Sequence, residues 1–93
     1  MATKPKITET QIKRQIKDYL KIKGYFWYWL VQGLGSFRGL PDLVVHDKVV
    51  VYLEVKTEKG KLSVYQQAFK KECEESNIEY YVVRSVEDVM EIL

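Results

Sequence analysis

Two carboxylates and a lysine stand close together in the middle of this 93-residue chain. Asp42 follows a proline in the run Gly39-Leu40-Pro41-Asp42-Leu43. Glu54 and Lys56 lie two apart in Leu53-Glu54-Val55-Lys56. Side chains alternate along a strand, so Glu54 and Lys56 point to one side. Two carboxylates brought together repel each other unless something positive lies between them. A magnesium-like ion does this, because it takes hard oxygen ligands, commonly one or two carboxylates plus water and substrate phosphate. Asp42 and Glu54 supply the carboxylates, and the Val55 backbone carbonyl supplies a third oxygen. Lys56 then stands beside the attacking water, where it orients the water, helps lower its pKa or stabilises charge on a phosphate. The chemistry implied is metal-assisted hydrolysis of a phosphodiester.

That arrangement sets a condition on the hairpin carrying it. Leu40 to His46 reads as one strand, with Pro41 near its start, where proline is tolerated. Asp47-Lys48 reads as the turn, and Val49 to Val55 as the next strand. A two-residue loop would pair Asp42 with Leu53 and put the two acids on opposite faces. For both to meet one ion, the loop must hold an odd number of residues, a bulge must shift the register, or Asp42 must precede regular pairing.

The flanking elements follow from local signals. Residues 1–6 read as a flexible basic tail. Thr8, with Gln11 three residues on, forms a capping box for a helix over 9–23. Ile12, Ile16, Tyr19 and Leu20 give that helix its apolar stripe, and Gly24 stops it. Tyr25 to Val31 is a β-prone run. Phe26, Tyr28 and Leu30 share one face of it, and Tyr25, Trp27, Trp29 and Val31 the other. Such bulk predicts a strand covered on both sides, or one whose second face meets a partner. Gln32 to Gly39 is a glycine-rich loop without the lysine-hydroxyl ending of a phosphate-binding loop. Thr57 to Lys61 is a polar loop. Ser63 caps a second helix over 64–76 with Tyr65, Ala68, Phe69 and Cys73 as its stripe, and Asn77 closes it. Ile78 to Val83 is the fourth strand, and Ser85 starts a short last helix. The αβββαβα order predicts an α/β fold: an antiparallel meander joined to a parallel strand by a crossover helix.

Composition narrows the class. Hydrophobic residues make up 46% and charged residues 30%, which fits one globular domain over 1–93. A single cysteine excludes an internal disulfide and a cysteine-rich zinc site. Cys73 reads as a small core residue. No signal peptide and no membrane-length apolar run is visible, so an intracellular setting is expected. Net charge is only +2, but the N-terminal quarter is basic and the last quarter acidic. Lys13, Arg14, Lys17, Ser36, Arg38, Lys59 and Lys61 are the candidates for contact with phosphates, without sequence readout. His46, the only histidine, reads as a surface or edge residue.

Taken as a series, these segments resemble the VRR-NUC family of the PD-(D/E)xK nuclease superfamily, especially its small stand-alone members of viral and bacterial type. The resemblance is carried by Glu9 in the first helix, Arg38-Gly39-Leu40-Pro41-Asp42-Leu43, Leu53-Glu54-Val55-Lys56, and Leu62-Ser63-x-x-Gln66. It implies a restriction-endonuclease-like αβββαβ core with a mixed four-stranded sheet flanked by helices. It also implies a Mg²⁺ or Mn²⁺ ion held by Asp42, Glu54, the Val55 carbonyl and, as an outer acid reached through water, Glu9. Lys56 takes the place of the catalytic lysine. Gln66 takes that of the glutamine closing the site, with Gln67 as the fallback. The expected activity is that of a metal-dependent endonuclease resembling Holliday junction resolvases, a homodimer acting on branched DNA without a small-molecule cofactor. Three rivals remain: a flap or duplex nuclease of the same fold, a non-catalytic DNA-binding module, and a plain small structural domain in which the same residues are surface charges.

Overall fold

The computed structural model describes residues 6–93. The remainder of the expected tail lies outside them. Thr8 Oγ1 accepts the Gln11 N–H while the Gln11 side chain accepts the Thr8 N–H, so both partners of the capping box open α1 (Glu9–Lys23). Ile12, Ile16 and Leu20 recur on one face and are completely buried. Gly24 ends the helix in the left-handed region at φ 77°, a conformation a side chain would disfavour.

Four strands follow: β1 (Phe26–Trp29), β2 (Leu43–His46), β3 (Val50–Val55) and β4 (Glu79–Val83), in the spatial order β1-β2-β3-β4. The first three pair antiparallel, and β4 lies parallel to β3. α2 (Val64–Glu75) makes the crossover between the parallel pair, and α3 (Val86–Ile92) follows β4. Asn77 takes the left-handed conformation after α2, and the Ile78 N–H reaches back to the Cys73 carbonyl.

Strand alternation divides the sheet into two unlike faces. Leu43, Val45, Val51, Leu53, Val55 and Val83 face α1 and α3, and with Ile12, Ile16, Leu20 and Val89 they form the buried core. Burying this layer stabilises the fold by roughly 25 cal/mol per Å² of apolar surface removed from water. The other face carries Glu54, Tyr52 and Tyr80, with the Phe69 ring of α2 packed edge-on against Tyr52 and tilted against Tyr80.

Several details differ from the sequence reading, each for a physical reason. The β2–β3 loop has three residues, Asp47, Lys48 and Val49, because His46 pairs with Val50. Asp42 is not in the ladder. Its N–H donates to the Leu53 carbonyl and its own carbonyl accepts from Leu30, so regular pairing starts only at Leu43. Pro41, lacking an N–H, is buried ahead of the strand. β1 is shorter than expected and lies at the sheet edge, with Phe26, Tyr28 and Trp29 exposed rather than covered. In α2 only Cys73 is fully buried, while Tyr65 and Ala68 are exposed, because the helix meets the sheet through Phe69, against Tyr52 of β3 and Tyr80 of β4. None of the described helices is long and apolar enough to cross a membrane.

Candidate active site

The three-residue hairpin loop brings the acids together. Counting back from Leu43 opposite Leu53, Asp42 falls level with Glu54 on the same face. Asp42 Oδ2 accepts the Val55 N–H at 2.7 Å, which fixes the carboxylate against β3. Its other oxygen, Oδ1, lies 3.1 Å from the Lys13 ammonium of α1. Lys13 also reaches Glu9 Oε2 at 3.6 Å, one helical turn back, so Glu9 joins the group through the lysine. Among the described residues, no three Asp, Glu, His or Cys side chains converge as a metal-binding cluster.

Glu54 is the buried acid, 2% exposed. Its Oε1 accepts from Gln66 Nε2 at 3.1 Å and lies 3.7 Å from the Lys56 ammonium. Its Oε2 is buried without a partner. Burial pushes the Glu54 carboxyl up to about 8; the Asp42 charge adds to this, and Lys56 opposes it only in part. A buried carboxylate oxygen with nothing to bind is costly, at about 1–3 kcal/mol or more. A hard divalent cation is the partner such an oxygen suits. On this ground Asp42 and Glu54 fit a metal, with the Val55 carbonyl between Glu54 and Lys56 in the chain as the available backbone oxygen.

Gln66 shows why Ser-x-x-Gln is part of the site. Ser63 Oγ accepts the Gln66 N–H at 3.1 Å, and Gln66 Oε1 accepts the Ser63 N–H at 2.9 Å. The amide oxygen thus caps α2 while the amide nitrogen holds Glu54. Gln67 turns elsewhere, its Nε2 donating to the Leu62 carbonyl at 3.2 Å. The first turn of α2 is seated by Gly39. That residue has φ 81°, and a Cβ on it would stand 2.3 Å from the Tyr65 carbonyl atoms and 2.6 Å from the Gln66 nitrogen. Glycine is required there both by the backbone angle and by the space.

Three contributors escaped the sequence reading. Lys13, expected on a phosphate-facing surface, is paired with Asp42 and Glu9. Burial opposes its charge, but the hydrogen bond and charge of Asp42, aided by Glu9, leave its pKa raised. The i, i+4 spacing to Glu9 was its only sequence signal. Tyr80 has a buried hydroxyl without a partner. Burial raises its pKa, and the charge of Glu54 adds to this. It faces the site because Tyr80 pairs with Tyr52 in the parallel register, which no local pattern reveals. Arg84 donates to the Thr57 and Gly60 carbonyls at 2.7 Å, pinning the turn that follows Lys56.

The remaining phosphate candidates stand on the surface. Arg14, Ser36, Arg38, Lys59 and Lys61 are exposed, and Lys17 is half-buried. Arg38 donates to the Tyr65 hydroxyl at 2.8 Å, with its guanidinium 5.0 Å from the ring centroid. Lys59 shares a groove with Thr8, Glu9 and Thr57. His46 lies on the β1 side, stacked on Phe26 and within 3.1 Å of the Tyr28 hydroxyl, away from the acids. Cys73 is a core residue whose thiol pKa is raised first by burial and then by Glu72 and Glu74.

A family model described as the VRR-NUC domain matches residues 8–87. A solved structure titled "VRR_NUC domain" superposes with a TM-score of 0.76 at 24% identity, covering 90% of this chain and 91% of that one. No curated protein sequence matches. The mixed four-stranded sheet with its flanking helices is consistent with the restriction-endonuclease-like core, and the family match spans every element that builds the site. The chain belongs to the VRR-NUC family, a nuclease-type family.

Proposed function

We propose that this protein is a Mg²⁺- or Mn²⁺-dependent endodeoxyribonuclease that hydrolyses phosphodiester bonds in branched DNA, in the manner of a Holliday junction resolvase. The single observation that supports the chemistry best is the buried, unpartnered Glu54 Oε2 beside the Asp42 carboxylate.

In this reading Asp42 and Glu54, with the Val55 carbonyl, hold the cation, and Glu9 acts as the outer acid. Bound there, the cation supplies Lewis acidity to the phosphate and to the attacking water. Lys56 is held at the site by Glu54 and offers its ammonium to the attacking water or to the charge developing on the phosphoryl oxygens. Gln66 orients Glu54 and leaves Oε2 free. Arg14, Lys17, Ser36, Arg38, Lys59 and Lys61 bind backbone phosphates, so affinity falls with salt and base sequence matters little. A homodimer would set two such sites about a two-fold axis, which suits symmetric nicking of a four-way junction. The exposed Phe26, Tyr28 and Trp29 of the edge strand β1, which pairs with β2 on one side only, are the surface offered for that contact.

The test is cleavage of a four-way junction, a flap and a linear duplex with Mg²⁺ or Mn²⁺, beside Glu54→Gln and Lys56→Ala. Preferred cutting of the junction, lost in both variants, is the expected result. Equal cutting of all three substrates removes the resolvase assignment. Junction binding without cleavage makes the protein a binding module instead.

A further inference from the structure

The four carboxylate oxygens of Asp42 and Glu54 are not equivalent. Asp42 Oδ2 is committed to the Val55 N–H, and Glu54 Oε1 to Gln66. That leaves Glu54 Oε2, which is unpartnered, and Asp42 Oδ1, on which Lys13 sits at 3.1 Å. A cation held by Asp42 and Glu54 together would face the Lys13 ammonium at Asp42. Two positive charges cannot share one carboxylate oxygen at contact distance without strong repulsion.

We propose that Lys13 is a tethered counter-ion, which holds Asp42 and Glu9 in the metal-free protein and gives up Asp42 Oδ1 when a divalent cation binds. The inference rests on the metal reading of Asp42 and Glu54 and adds a regulator of that same site. Lys13 is suited to the role by placement. It projects from α1, in the layer that packs on the opposite face of the sheet, and its long stem lets the head leave without disturbing the buried Ile12 and Ile16. Glu9, one turn away, remains to receive it. The lysine is a positioning residue in this role: it acts on Asp42 and sets how readily the cation enters.

Two measurements test this. Mn²⁺ affinity, read by calorimetry or by the electron paramagnetic resonance of free Mn²⁺, is compared for the wild type, Lys13→Met, Lys13→Arg and Asp42→Asn. Removal of the competing charge in Lys13→Met should tighten binding by about fivefold or more, a typical coupling between sites. Lys13→Arg, which keeps the charge, should show no such gain. In the wild type, acetylation of Lys13 by an amine-reactive ester, followed by mass spectrometry, should be slow without metal and faster with Mg²⁺. This second measurement needs no variant to fold. Equal or weaker Mn²⁺ binding by Lys13→Met, or acetylation indifferent to Mg²⁺, overturns the counter-ion role alone, provided Asp42→Asn abolishes binding. If the wild type binds no Mn²⁺, or Asp42→Asn binds as well as the wild type, the metal reading falls and takes this inference with it.

Discussion

Gln66 and Glu54 are joined by a hydrogen bond of 3.1 Å from an amide whose oxygen is already engaged in capping α2. Helix capping and site geometry are therefore set by one side chain, and substitution there separates the two. Gln66→Glu keeps an acceptor for the Ser63 N–H but turns a donor into a third acid against Glu54. Its helix content and melting temperature with metal present should stay near wild type, while cleavage falls by roughly 10²-fold, the scale of a lost orienting or charge-stabilising contact. Gln67→Ala, whose side chain reaches only Leu62, should cut normally. Cleavage rates and circular dichroism of the pair decide this.

Gly39→Ala should be costly for a reason independent of chemistry. The left-handed φ and the 2.3 Å approach to Tyr65 backbone atoms both forbid a methyl group. A loss of about 1–3 kcal/mol in urea unfolding is expected, together with weakened metal binding as the first turn of α2 is pushed off. A variant as stable as the wild type would show that α2 is not seated by this contact.

The pH dependence of stability has a definite sign. Glu54 is raised from 4.5 to about 8 by burial and by Asp42, so the folded state holds a proton that the unfolded state releases. Its contribution is complete below pH 4.5 and is lost as pH rises through about 8. Within that window the metal-free protein should lose up to about 1.4 kcal/mol per pH unit. Mg²⁺ should raise the melting temperature more at the alkaline end than at the acidic end, and Glu54→Gln should remove both effects. Thermal melts across this range, with and without chelator, measure it.

Lys56→Ala should lower the cleavage rate by roughly 10²- to 10³-fold while leaving junction affinity near wild type, because it faces Glu54 rather than the outer surface. Arg84→Met acts differently. It removes the donor to Thr57 and Gly60, so amide exchange in residues 57–60 should accelerate, at a stability cost of about 1–3 kcal/mol. Single-turnover kinetics separate the first from the second.

Much of this was legible in local pattern. Thr8 and Gln11, Gly24 and Ser63 marked the helix ends because capping is a short-range matter of hydrogen bonds, while the capping role of Gln66 emerged only from the structure. The αβββαβα order followed from such punctuation, and the pairing of Asp42 with Glu-x-Lys drew attention to the right stretch. What stayed hidden depends on how distant elements meet. Lys13 looked like one more exposed base on α1, and only the placement of that helix against Asp42 makes it part of the site. Tyr80 needed the parallel register of β4, and the exposure of Tyr65 and Ala68 needed the knowledge of how α2 sits on β3 and β4. Gly39 could be read as a permissive loop residue, but the helix it touches lies far along the chain.

The three-residue loop of Asp47, Lys48 and Val49 joins two strands that carry one acid each. Its residues make no hydrogen bond or ion pair to the site, so the site does not depend on their identities. It does depend on their number. Deleting one would turn Asp42 away from Glu54 with every functional side chain still in place, whereas adding two to the three would keep the phase. Activity in this fold is thus inherited partly as an odd count, and a chain bearing all the expected residues can still be inert by one residue of loop length.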